Sequence, residues 1–184
     1  MARKVVYDKI TILEKTKDFI NEKGIEAMNA RDLCKYIGCS TQPLFKNFES
    51  MDVFKKELKK YLHDYYDSFI SKYVNKKDYL YTISYAYAFY AKKEPNVFFS
   101  LFMADLAGSR TVSEVLNTDR NMETINAMVK QYKISLEDAK KVYREVRFYT
   151  HGIATQLCVN SIKLADKEIK NLIRNNIEIN LRGI

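Results

Sequence analysis

The stretch GIEAMNARDLCKYIGCSTQPLFKNFESMDVF, Gly24 to Phe54, decides the fold of this chain. Gly24 stops the helix before it, because a glycine just past a helix takes the left-handed conformation that closes the last turn. Asn29 stands where an N-cap belongs, its side-chain oxygen placed to accept from a free backbone N–H of a helix over Ala30 to Ile37, whose Leu33 and Ile37 face inward. Gly38-Cys39 makes a turn, and Ser40 caps a third helix from Thr41 to about Phe48. Pro43 fits the first turn of that helix, where its missing N–H would have had no intrahelical partner. Two short helices joined in this way read as a helix-turn-helix, the second helix placed to enter a DNA groove.

Outward from this stretch, the pattern stays helical. Residues 7 to 22 carry Ile10, Leu13 and Ile20 on one stripe ahead of Gly24. A long helix from Met51 to about Val74 repeats Val53 or Phe54, Leu58, Tyr61 or Leu62, Tyr65 and Phe69, with Lys55, Lys56, Lys59 and Lys60 near its start. Asp78 to Lys93 is an aromatic-rich helix that stops before Pro95, and Pro95 to about Ala107 forms the next. A short piece near Val112 to Leu116, a helix near Asn121 to Tyr132, a long one opened by the capping box Ser135-Leu136-Glu137-Asp138 and running to about Ile162, and a last one from about Asp166 to Leu181 complete the chain. No strand run, repeat or low-complexity tract appears. The expectation is an all-α fold of roughly nine helices: a three-helix DNA-binding domain over 1–50 and a helical-bundle domain over 51–184.

Composition agrees. The 184 residues are 47% hydrophobic and 29% charged, with 5 Gly and 2 Pro, which suits long helices and short loops. Cys34, Cys39 and Cys158 have no paired ligand spacing, and His63 and His151 are the only histidines, so neither a metal site nor a disulfide framework is expected, and no cofactor. No segment approaches the roughly 20 apolar residues that span a bilayer, and the chain reads as cytoplasmic with no membrane partner. The net charge of +8 points to an anionic partner, yet residues 1–52 hold nine basic and eight acidic side chains, against seven and three in 53–77. The case for DNA therefore rests on spacing rather than charge. No nucleophile, base and orienter can be assembled, so an enzyme is not expected. His151 lacks a Ser, Cys or carboxylate partner at a recognisable spacing and reads as a satisfied core histidine.

Gly24, Ala27, Leu33, Gly38-Cys39-Ser40 and Leu44-Phe45-Lys46-Asn47-Phe48, in order and spacing, resemble the helix-turn-helix of the tetracycline-repressor (TetR) family of bacterial transcription factors. Phe148-Tyr149-Thr150-His151-Gly152-Ile153-Ala154 is similar to the aromatic, His-Gly and apolar pattern in the regulatory domain of some members. The chain departs from the family at Phe45, where a tyrosine is usual, at Met51, where a lysine is common, and at Cys39, where the family has valine. Met28-Asn29-Ala30 replaces the usual Thr-Thr or Thr-Val and leaves Asn29 alone to cap and to meet phosphate.

The resemblance implies a ligand-responsive regulator, most often a repressor, that reads a palindromic operator in double-stranded DNA as a homodimer. Thr41, Gln42 and Lys46 are the candidates for base edges: Gln42 for adenine, Lys46 for guanine, the Thr41 methyl for thymine. Asn29, Arg31, Ser40, Asn47 and Lys55 are the phosphate candidates, with Arg3 and Lys4 as a flexible arm. Pairing through the last two helices would use Val142, Val146, Tyr149, Ile153 and Leu157 on one and Ile169, Leu172, Ile173 and Ile177 on the other, faces that also suit ordinary core. The density of Tyr, Phe and Met between Tyr79 and Met128 suggests a pocket for a small apolar or aromatic effector, with Tyr85, Phe89, Phe102, Met103, Met122, Ile125, Met128, Tyr149 and Gln156 as candidates. An aromatic stripe at helical spacing is also what a core uses. The alternative is a helical interaction protein that keeps the fold with weakened or lost operator binding, which Phe45 and Met51 keep open.

Overall fold

The computed structural model describes residues 7–104, 106, 108–109 and 111–184; Arg3 and Lys4, expected to form an arm, lie outside them. The described chain is all-α, without a strand, and its helices are α1 Lys9–Lys23, α2 Ala30–Ile37, α3 Thr41–Asn47, α4 Met51–Ser71, α5 Tyr79–Lys93, α6 Pro95–Phe102, α7 Val112–Leu116, α8 Asp119–Tyr132, α9 Leu136–Cys158 and α10 Asp166–Arg182, with a 3-10 turn at Lys76–Asp78 before α5. The count exceeds the roughly nine expected because the short piece at Val112–Leu116 is a helix of its own. Thr111 and Glu114 close a capping box on it, each binding the other's backbone N–H.

The chain divides into two compact units, Met1–Tyr66 with Asn96–Ala107 and Asp67–Pro95 with Gly108–Ile184. In the first, α1 buries Ile12, Leu13, Thr16, Phe19 and Ile20, α2 buries Leu33 and Cys34, and α3 buries Leu44. Phe54, Leu58, Leu62 and Tyr66 form the buried stripe of α4 in this unit, a four-residue repeat in place of the expected one through Tyr65. Val97, Phe98 and Leu101 of α6 are buried as well, and Asn96 Nδ2 donates to Asn21 O at 2.7 Å.

In the second unit, α5 packs against α8, α9 and α10, and α9 against α8 and α10. Ala88 and Ala139, both with no exposed surface, sit in its core with Leu80, Ile125, Met128, Val142, Val146, Ile153, Leu157, Ile169, Ile173 and Ile177. Small side chains at these positions let helix backbones approach while the branched ones fill the space between. The aromatic density of α5 has a local cause too. Tyr79, Tyr87, Phe89 and Tyr90 are buried, while half-buried Tyr81 carries the Arg174 guanidinium 3.5 Å from its ring centroid and half-buried Tyr85 carries the Lys170 ammonium at 4.9 Å. Arg174 is fixed in turn by Asp78 at 2.8 Å, so cation–π contacts join α5 to α10 along its partly exposed edge.

Ile125 and Met128, read from sequence as pocket residues, have no exposed surface and pack in this core. Met128→Ala is therefore expected to cost about 2–5 kcal/mol of folding free energy, the range for truncating a buried long side chain. Urea unfolding of the variant measures it, and a loss below about 1 kcal/mol would place Met128 in a space that collapses or is already empty.

Candidate nucleic-acid interface

The first unit builds a small head around α2 and α3. Asn29 caps α2 as its sequence position suggested: Oδ1 accepts from Asp32 N–H at 3.0 Å and Nδ2 donates to the Asp32 carboxylate at 2.7 Å. Asp8 caps α1 in the same way, accepting from Thr11 N–H at 2.8 Å, and that backbone hydrogen bond holds its carboxyl below the usual range. Gly24 ends α1 with φ 80° and ψ 162°, extended rather than the expected left-handed helical shape, in a region that glycine alone adopts readily. Its N–H still closes on Ile20 O at 2.9 Å.

The start of α3 differs from expectation in one respect. Ser40 occupies the N-cap position, but its side chain makes no capping hydrogen bond, so the exposed hydroxyl is not committed to the helix end. Pro43 lies in the first turn as its chemistry requires. Leu44 and Phe48 are buried, and Phe48 meets Phe54 edge-on at 5.0 Å. The inward pair leaves Thr41, Gln42, Phe45 and Lys46 exposed, one face of α3 spanning its length. Arg31 is exposed in the first turn of α2, and Lys55 is half-buried in the second turn of α4.

Two residues hold α3 in this attitude. Asn47 Nδ2 donates to Tyr7 O at 2.9 Å and to Pro43 O at 2.8 Å, engaging the amide that sequence reading offered to a phosphate. The Tyr7 hydroxyl donates to Gly38 O at 2.9 Å. The chain entering α1 is thereby tied to the turn before α3 and to its last residue. Tyr7 escaped the sequence reading because its partners lie 31 and 40 positions away and no local pattern marks them. On the other side, the Tyr36 hydroxyl donates to Glu22 at 2.6 Å, which joins α2 to α1 and pushes the Tyr36 pKa up to about 12.

The residues named for an effector are placed as follows. Phe102 is half-buried and Met103 exposed in the first unit. In the second, Ile125 and Met128 are core, Phe89 is buried, Tyr85 and Met122 are half-buried against the core, and Tyr149 and Gln156 are exposed. His151 is half-buried with Nδ1 2.8 Å from the Tyr87 hydroxyl, and burial, reinforced by Arg147, lowers its pKa and favours the neutral ring. That is the arrangement of a satisfied histidine. Of the pairing faces, Val142, Val146, Ile153, Leu157, Ile169, Ile173 and Ile177 lie inside the unit's own core. The apolar side chains left outside on these two helices include Phe148, Tyr149 and Ile179.

With ten helices among the described residues, a helix-turn-helix in the first unit and its exposed face in place, solved structures of like fold can be set beside the chain. A TetR-like transcriptional regulator from Rhodococcus sp. RHA1 superposes with a TM-score of 0.67 at 11% identity, covering 100% of both chains. The chain has the fold of the TetR-like transcriptional regulators. A single-residue variant of TetR from Acinetobacter baumannii AYE, in complex with minocycline, has a TM-score of 0.59 at 13% identity, covering 96% of this chain and 95% of that one. A second TetR regulator from Rhodococcus sp. RHA1 gives 0.54 at 14% identity, covering 93% of each. No family model and no curated protein matches the sequence. No described helix is long and apolar enough to cross a membrane.

Within this TetR-like head, Asn47→Ala is expected to cost about 1–3 kcal/mol by orphaning the Tyr7 carbonyl and loosening α3. Thermal unfolding reads the loss. A variant as stable as the parent would show that the bridge does not hold the helix.

Proposed function

We propose that the chain is a DNA-binding transcriptional regulator that reads a two-fold symmetric operator as a homodimer and releases it, as a repressor does, when a small apolar or aromatic effector binds. The observation that carries this reading is the exposed face of α3. Thr41, Gln42 and Lys46 stand outward while Leu44 and Phe48 fix the helix from within, the division of labour a groove-reading helix needs. Gln42 and Lys46 supply donors and acceptors for base edges; Arg31, Ser40 and Lys55 supply phosphate contacts. Asn29 and Asn47 act as cap and brace, and reach DNA only through the backbone they position.

A helix-turn-helix of this kind normally engages two half-sites, which calls for two copies. Phe148, Gly152 and Thr155 share one face of α9 by four- and three-residue steps, and Val159 follows as its C-cap; Phe148 is 53% and Val159 55% exposed, and Ile179 on α10 is 66% exposed. A Cβ built on Gly152 meets nothing within 4 Å. Glycine inside a helix costs about 1 kcal/mol relative to alanine, and nothing among the described residues crowds this position, so a close approach by a second copy accounts for it. These residues, rather than the core side chains first named, form the pairing surface. Gly152→Gln should leave the protomer folded by circular dichroism while shifting the dimer to monomer in sedimentation; a dimer of unchanged affinity would remove this surface from the interface.

The effector reading draws support from the neighbour of like fold solved with minocycline and from the aromatic second unit. α4 carries residues of both units and would transmit the shift, the ligand lowering DNA affinity by its differential affinity for two conformations. Phe45, 43% exposed on the outer face of α3, favours a second reading in which this face meets a protein partner instead of DNA. Gel shifts over several salt concentrations, on DNA flanking the chain's own gene, decide between them. Gln42→Ala is expected to lose about 1–3 kcal/mol of discrimination at one base position, and Lys55→Ala to weaken all sequences alike and flatten the salt slope by about one unit. Absence of sequence-dependent retardation at low salt would leave the protein-partner reading.

A further inference from the structure

α2 ends in a closure that uses two cysteines. Gly38 takes the left-handed conformation at φ 84° and ψ 33°, its N–H approaches Cys34 O at 3.0 Å, and Cys39 N–H donates to the same oxygen at 2.9 Å. The bond from Cys39 back to Cys34 is the six-to-one hydrogen bond of a Schellman motif, in which the side chains at these two positions commonly touch. Here both residues of that closure are cysteines. Cys34 is 2% exposed beside Leu33, whereas Cys39 is half-buried and open to small solutes. Burial, and then the neighbouring Cys39, push the Cys34 thiol up to about 11, so the inner cysteine stays protonated and the outer one is the first to react.

We propose that Cys34 and Cys39 form a dithiol that peroxide oxidises to an intrachain disulfide across the turn of the helix-turn-helix, making the head redox-sensitive. The Cys39 sulfur, as thiolate, attacks one peroxide oxygen; the S–O bond forms, the O–O bond breaks, and the departing hydroxide takes up the proton that Cys39 released, giving water and a sulfenic acid. The Cys34 sulfur then attacks the Cys39 sulfur. The S–S bond forms, the S–O bond breaks, and the leaving hydroxide accepts the Cys34 proton as the second water. Two thiols lose two electrons in all, and one peroxide is reduced to two waters.

The bridge acts on the reading face through chain continuity. A disulfide holds its sulfurs at about 2.05 Å, well inside the contact distance of two thiols, so Cys39 is drawn toward α2. Ser40 and then Thr41 and Gln42 follow Cys39 directly, so the first turn of α3 moves with it. This effect on DNA rests on the proposed function; the disulfide itself does not.

The test uses the full chain carrying Cys158→Ser, which leaves the two cysteines of the turn, treated with hydrogen peroxide and read by intact mass and peptide mapping. A loss of about 2 Da, restored by dithiothreitol and mapped to a Cys34–Cys39 link, is expected, together with its absence when Cys39→Ser is added. DNA affinity of the oxidised form should fall at least about tenfold, and that of the Cys39→Ser protein should not respond to peroxide. Both thiols still open to alkylation after treatment, or a bridge between copies instead, would overturn the dithiol. A bridge that leaves DNA affinity unchanged would overturn its regulatory effect. Reduced protein that binds no DNA would count against the regulator reading alone, since the mass change still decides the disulfide.

Discussion

The reading head depends on one small bridge, the Asn47 carboxamide between Tyr7 O and Pro43 O, with the Tyr7 hydroxyl on Gly38 O closing the circuit. A helix of seven residues is too short to be stable alone, so α3 must take its order from tertiary contacts. Leu44 and Phe48 supply the apolar part of that support, but they fix only the inward side. The polar bridge restrains both ends of α3 relative to the chain entering α1. What remains exposed is then held at a defined angle, and side chains can read a groove only from such an angle.

Within this frame the closure at Gly38 has two tasks. It reverses the chain between α2 and α3, and it brings Cys34 and Cys39 together. The turn is compact because a left-handed residue lets two N–H groups close on one carbonyl, and the same compactness ties the backbone of Cys39 to that of Cys34. A position that ordinarily takes an apolar contact gains chemistry without any change in backbone. The second unit shows the same doubling of roles, since the aromatic rings that fill α5 also carry the cations of α10 on their outer faces.

How much of this was legible follows from the range of each signal. Caps, proline and the Gly38 turn act over three to five residues, so Asn29, Pro43 and the helix order could be read directly from sequence. The absence of a capping bond at Ser40 could not, because residue type sets the opportunity and local geometry decides its use. Asn47 looked like a phosphate donor because its partner Tyr7 lies far back in the chain. On α9 and α10, a core and a pairing face would use the same aliphatic residues, and only the packed fold shows that Val142, Ile169 and Ile173 face inward while Phe148 and Ile179 do not. The aromatic run of α5 met the same ambiguity, and burial assigns Ile125 and Met128 to the core around it.

The charge distribution bears on how such a head would discriminate. Counterion release from phosphate contacts drives nonspecific affinity, and it grows with the number of phosphates neutralised. Residues 1–52 are nearly neutral, and the lysines that follow, Lys55, Lys56, Lys59 and Lys60, are concentrated at the start of α4. On the proposed reading, a head of this kind would gain little from DNA of arbitrary sequence, and a larger share of operator affinity would have to come from Thr41, Gln42 and Lys46 at base edges. The specificity ratio, rather than the absolute affinity, is what such an arrangement favours. On that reading the orientation of α3 would also matter more than in a strongly basic head, since a small displacement of its first turn would remove base contacts that no surplus of phosphate contacts replaces.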